Sequence, residues 1–153
     1  TPSCPSQCIC EGSDVVCSCD SVISSHLRLN SFGSLFISSL TIHSCTTVTI
    51  SNGSFTGVAF ANRLAIVGIP NLIIQPYSFR DLLQAPKIFL IDNCSISSFE
   101  SHSFTGLAHL DHIWIRDSSI GSIHSNAFSH LSNVRYLYIH QVNIGTIHRH
   151  AFK

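Results

Sequence analysis

From residue 39 onward the chain repeats at intervals of 24 or 25 positions, and this period limits what it can fold into more than any other feature. Setting HLDHIWIRDSSIGSIHSNAFSHL over NVRYLYIHQVNIGTIHRHAF aligns Leu110 with Val134, Ile113 with Leu137, Ile115 with Ile139, Ile120 with Ile144, Ile123 with Ile147 and Phe128 with Phe152. Stepping backwards gives Phe89, Ile91, Ile96, Phe99 and Phe104, then Leu64, Ile66, Leu72, Ile74 and Phe79, then Leu40, Ile42, Val48, Ile50 and Phe55. Residues 39–153 therefore read as four complete units and a fifth cut off at Lys153, with residues 1–38 as a cysteine-rich cap and entry segment; the natural protein is expected to continue. A period in the twenties is the mark of a solenoid in which each unit supplies one rung. A single rung cannot bury its own apolar side, so the core exists only between stacked neighbours and the columns must stay in register.

Within each unit the pairs Leu40/Ile42, Leu64/Ile66, Phe89/Ile91, Ile113/Ile115 and Leu137/Ile139 alternate with a period of two, which predicts five short strands stacked as a parallel sheet with these side chains inward. The intervening residues then line the opposite, solvent face. They are Ser39, Thr41 and His43; Arg63, Ala65 and Val67; Ile88, Leu90 and Asp92; His112, Trp114 and Arg116; and Tyr136, Tyr138 and His140. This face turns from small and polar to aromatic along its length, and it carries the chain's one Trp and two of its three Tyr. Rigid aromatic side chains grouped on adjacent strands resemble the centre of a protein interface, because they offer large contact area at small entropic cost. A column of Phe55, Phe79, Phe104, Phe128 and Phe152 is expected to fill the other side, each ring preceded by a small Ser or Ala. Loops or single helical turns are expected to close each rung, no segment being long enough for a full amphipathic helix.

Five of the seven cysteines fall in the first nineteen residues: Cys4, Cys8, Cys10, Cys17 and Cys19. So few apolar residues accompany them that disulfides in an oxidising compartment are the natural reading, and four cysteines allow three pairings. The Cys-x-Cys steps lack the spacing of zinc knuckles. Cys45 and Cys94 take equivalent inward positions two units apart, roughly 10 Å at about 4.8 Å per strand, too far to bridge one another. Both read as buried free thiols, and Cys19 as a partly buried thiol or an intermolecular partner.

The repeat columns and the cap together resemble extracellular leucine-rich-repeat proteins with a cysteine-rich N-terminal flanking region. The resemblance implies an α/β solenoid: an arc with a parallel sheet on its concave face and a disulfide-bonded hairpin cap. It also implies the pairings Cys4 with Cys10 and Cys8 with Cys17. Members with such caps include hormone and growth-factor receptors, adhesion receptors, matrix proteins and immune receptors. Where the family usually places a turn-bonding Asn, this chain has Cys45, Ile69, Cys94, Ser118 and Val142. Ile69 and Val142 cannot play that part, so their turns must find hydrogen bonds elsewhere.

Charge sets the function classes. Eight basic and eight acidic residues leave no net charge, and charged residues are 10% of the chain against about 25% in an average domain. Without a basic stripe the chain is not expected to bind nucleic acid, and no apolar run spans a membrane or touches one within this fragment. The sequence has no nucleophile elbow, phosphate loop or zinc-protease motif, so no enzyme activity and no cofactor are expected. Ten histidines, including the His124/His148 pair and His150, read as polar surface rather than metal ligands. His112 and His140 on the solvent face could make partner binding weaken below neutral pH. The expected role is an extracellular, secreted or cell-surface, protein-binding module, its signal peptide already removed. Its candidate ligand face is Ile88, Leu90, Asp92, His112, Trp114, Arg116, Tyr136, Tyr138 and His140, with Asp92, Arg116 and Asp117 setting register by charge. Asn52-Gly53-Ser54 and Asn93-Cys94-Ser95 are glycan acceptor patterns. A self-associating matrix or adhesion module, dimerising through the same face, is the alternative.

Overall fold

The computed structural model describes residues 4–20, 25–33, 35–107, 109–131 and 133–153. The cap's residues 1–3, 21–24 and 34 lie outside the described residues. The cap contributes a hairpin, β1 (Cys8–Glu11) and β2 (Asp14–Ser18), followed by β3 (His26–Leu29). Each later rung then supplies two strands: β4 (Phe36–His43) and β5 (Thr47–Ile50), β6 (Ala59–Val67) and β7 (Asn71–Ile74), β8 (Ile88–Asp92) and β9 (Ser95–Phe99), β10 (His112–Arg116) and β11 (Ser119–Ile123), and β12 (Tyr136–His140) and β13 (Asn143–Ile147). The first strand of each rung joins a seven-stranded sheet in the order β1-β2-β4-β6-β8-β10-β12, antiparallel within the hairpin and parallel thereafter. The second strands form two three-stranded sheets, β3-β5-β7 and β9-β11-β13.

The α/β expectation is corrected: the described residues contain no helix, and the fold is an all-β solenoid with a disulfide-stapled hairpin at its N-terminal end. The physical reasons are local. Segments such as SIGSI and NIGTI mix Ser, Ile, Thr and Gly, all weaker helix formers than Ala or Leu. Gly121 lies against the carbonyl oxygen of Ser97 on the preceding rung, so close that a Cβ there would overlap the backbone. The return path is then broken every few residues by left-handed corners at Tyr77, Asp81, His102, Asn126, His130 and His150, with φ near 60°. An α-helix cannot pass through such residues. The horseshoe arc goes with the helices. Helices pack 8–10 Å apart and would splay a stack of strands about 4.8 Å apart, whereas here both sides of the rung have strand spacing.

The core is the inward column set. Ile113 and Ile115, Phe89 and Ile91, Leu64 and Ile66, and Leu40 and Ile42 are fully buried. Leu137 and Ile139 face the same way but remain partly exposed, because β12 is the last strand of its sheet. The phenylalanine column forms as two stacks, Phe32 on Phe55 at 5.1 Å and Phe55 on Phe79 at 5.5 Å, then Phe104 on Phe128 at 4.7 Å and Phe128 on Phe152 at 5.0 Å, with Phe89 between them at 5.4 Å from Phe79 and 6.0 Å from Phe104. Phe32 shows that the entry segment builds a rung of its own, with Leu27 and Leu29 of β3 in register with Val48 and Ile50 of β5. The small residues before the rings also bond. The buried Ser78 hydroxyl shares its proton between Gln75 O at 2.6 Å and Ile50 O of the preceding rung at 2.9 Å, and Ser54 reaches Leu29 O and Ser51 O in the same way.

The corners that lack a bonding Asn are held by the next rung's backbone. Gly68 N–H donates to Asp92 O at 2.9 Å, Asn93 N–H to Arg116 O at 3.1 Å, and Asp117 N–H to His140 O at 3.1 Å. Side chains at these corners can therefore be apolar, as Ile69 is.

Disulfides join Cys4 to Cys10 and Cys8 to Cys17. The reading of Cys19 and Cys45 as free thiols is corrected: they are bonded to each other, tying the end of the hairpin to the corner of the first complete repeat. Spacing missed this link because Cys45 was matched against its repeat partner Cys94, while its bond runs to the rung before. Cys94 is buried and free, and burial pushes its thiol pKa up. A thiol reagent is expected to find no reactive cysteine in the native protein at pH 8 and one in denaturant; three in denaturant would deny the Cys19–Cys45 bond.

Candidate functional site

The exposed face of the seven-stranded sheet is built by strand alternation alone. Parallel pairing sets Leu90, Trp114 and Tyr138 side by side on β8, β10 and β12, with Ile88, His112 and Tyr136 on one flank and Asp92, Arg116 and His140 on the other. All nine predicted face residues thus fall in a three-by-three grid. Trp114 is 39% exposed, Tyr136 48% and Tyr138 45%, while the inward Ile113 and Ile115 are at 0%.

The rings pack on one another instead of standing free. His112 stacks on Tyr136 at 4.9 Å, Tyr136 on Tyr138 at 5.7 Å, and Trp114 meets Tyr138 at 5.9 Å with a 52° tilt. Such contacts hold the side chains in place before a partner arrives and so lower the entropic cost of binding. His112 Nδ1 is buried in this cluster without a hydrogen-bond partner. Arg116 lies over the Trp114 ring at 5.0 Å and pairs through Nη2 with Asp92 Oδ2 at 3.1 Å. Both ends of that pair are partly exposed, so it is worth little by itself. It fixes the edge of the aromatic cluster. Asp117 stands at the left-handed corner after β10 (φ 50°), beside the grid and not in it.

Sequence reasoning missed two properties of this face. Its middle row runs beyond the repeats into the cap, since Val16 of β2 is the register partner of Thr41 and Ile9 of β1 pairs with Val16, while Ala65, expected on the solvent face, is buried at 1%. The cap strand β2 is thus part of the face, which the repeat period could not reveal because the cap has no repeat. The Asp92–Arg116 pairing was also open, since spacing placed them only as rim charges.

Elsewhere, His124 stacks on His148 at 4.8 Å, with Glu100 Oε2 at 3.8 Å from His124 Nε2. Among the described residues no three His, Cys, Asp or Glu side chains converge as metal ligands would. A concavity beside β12 is lined by Ile113, Phe128, Leu137 and Phe152, the inward columns that other rungs bury under a neighbour. Of the glycan acceptors, Asn52 is exposed and its Oδ1 accepts from Arg80 Nε at 2.7 Å, while its partner Ser54 is buried. Asn93 is exposed at the corner after β8 (φ 54°), and Ser95 is exposed as well.

The repeat model of the family described as "BspA type leucine rich repeat region" matches residues 25–153 in six copies. No curated protein matches the chain. The matched span takes in β3, consistent with the extra rung that the structure places ahead of residue 39.

Proposed function

The chain belongs to the BspA-type leucine-rich-repeat family, and we propose that it is a non-catalytic module that binds another protein on the exposed face of its long sheet. The observation that carries this reading is the pre-packed cluster of His112, Trp114, Tyr136 and Tyr138 on a parallel sheet, solvent-facing and braced by Arg116. A monomer gains nothing by leaving these rings half exposed, and interface centres are enriched in Trp, Tyr and Arg.

The compartment in this proposal is extracellular, as part of a receptor or adhesion ectodomain. Three disulfides in so short a chain support it, since they persist where the surroundings are oxidising. In such a compartment Asn93 and Asn52 are the proposed glycan sites, and a glycan on Asn93 would border the face next to Asp92 and steer a partner toward the aromatic end.

A partner captured by a photo-reactive side chain placed at Tyr138 provides the test. Its affinity is expected to fall about 30-fold, or about 2 kcal/mol, with Trp114→Ala, and to stay unchanged with Ser97→Ala on the opposite sheet. Equal affinities for wild type and Trp114→Ala would sink the reading.

A further inference from the structure

The docking face carries Glu11, Asp14, Arg63, Asp92 and Arg116, of which only Asp92 and Arg116 form an ion pair among the described residues. Asp92 is taken by Arg116 at 3.1 Å, Asp111 faces Arg135 at 3.8 Å, and Asp14 accepts a hydrogen bond from Ser39 at 3.0 Å. Arg63, on β6 in the flank of the apolar row, is exposed and makes no hydrogen bond or ion pair among the described residues. Lys87, immediately before β8, is exposed, and its backbone lies between Asn62, whose carbonyl accepts its N–H at 2.7 Å, and Asp111, whose N–H donates to the Lys87 carbonyl at 2.9 Å. An exposed cation without an ion-pair partner gains from a carboxylate brought in from outside. Arg63 in particular presents the planar fork that a carboxylate fits with two bonds.

We propose that the partner on this face is an acidic and apolar polypeptide segment lying along the solenoid axis, with apolar side chains on Leu90, Trp114 and Tyr138 and a carboxylate on Arg63. The proposal rests on the docking reading above and goes beyond it in naming the partner's chemistry. A second copy of the chain does not supply this carboxylate. In a face-to-face twofold pair with antiparallel axes, bringing Asp14 over Arg63 shifts the copies so that Trp114 and Tyr138 are left uncovered. With parallel axes each rung meets itself in reverse, and Arg63 meets Val67. The row crosses seven strands, about 29 Å at ~4.8 Å per step, which a helix of about 20 residues covers at 1.5 Å per residue.

The probe is a displayed library of random peptides of about 20 residues, selected on the wild-type chain and counter-selected on Trp114→Ala. The proposal expects enriched peptides to carry Asp or Glu beside aliphatic or aromatic residues. Each synthesised peptide should bind Arg63→Glu at least tenfold more weakly, and a Lys at its acidic position should restore binding to Arg63→Glu. Arg63→Gln, with matched circular dichroism and melting, should give an intermediate loss, which shows that charge and not folding is read out. Peptides that need Trp114 but are indifferent to Arg63→Glu overturn the proposal and leave the docking face standing. Absence of any Trp114-dependent peptide overturns both. A dimer in sedimentation that Trp114→Ala dissolves overturns the proposal in favour of a second copy.

Discussion

Replacing Phe104 by alanine is expected to destabilise the fold by about 3–5 kcal/mol, measured as the shift in urea unfolding midpoint at unchanged slope. Phe104 is fully buried and touches rings on three sides: Phe128 stacked at 4.7 Å, Phe99 edge-on at 4.9 Å and Phe89 tilted at 6.0 Å. Removing it deletes the apolar transfer gain and leaves a cavity that backbone hydrogen bonds between rungs keep from collapsing. One neighbouring residue forbids the easy remedy. Gly106, at φ 109°, has its missing Cβ position against the backbone carbonyl of Phe79, so the turns of adjacent rungs are already in contact and cannot slide inward. In a solenoid stability is close to a sum of rung and nearest-neighbour terms, so the loss falls on both interfaces of that rung. A loss below about 1 kcal/mol would mean that the ring column is not a core.

Cys45→Ser is expected to cost about 3.5 kcal/mol, from the chain entropy returned to the unfolded state when a loop of 26 residues is no longer closed. Both residues are nearly buried, Cys19 at 8% and Cys45 at 4% exposure, and they sit where the hairpin meets the repeat stack. The change therefore does more than loosen a loop: it frees the cap from the first complete repeat and lets water reach Leu27 and Val48. For a chain of this length the melting temperature should fall by roughly 7–14 °C. Reductant should lower the wild-type melting temperature more than it lowers that of the variant, since one bond is already gone. A variant that melts with the wild type would remove the Cys19–Cys45 bond from the account.

Half of each rung was legible in the sequence and the other half was not. Leu40/Ile42 through Leu137/Ile139 alternate without interruption, so the first strand, its inward side and its solvent side followed from the period of two. The second strand is different. Ile120 and Ile123, or Ile96 and Phe99, are spaced by three, which suits a helical turn as well as an irregular strand, and only the contacts between rungs decide. The deciding feature, Gly121 against the Ser97 carbonyl, depends on a residue 24 positions away and has no local signature. For the docking face the columns were readable, but not which charges were already spent. Asp92 and Arg116 are separated by one full repeat and become neighbours only once β8 and β10 pair in register. Arg63 stands out for the same reason, as the cation on the docking face that no such pairing answers among the described residues.

Trp114 is the single tryptophan of the chain, so its fluorescence reports one position. Quenching of that emission by acrylamide in the folded protein tests most directly whether side chains alternate as described. The account predicts ready quenching of the isolated chain, with an emission maximum between those of a buried and a solvated indole because Trp114 is 39% exposed, and protection when a partner occupies the face. A native protein whose tryptophan resists acrylamide until denaturant unfolds it would put Trp114 inside the stack, reverse both faces of the sheet and leave no docking surface.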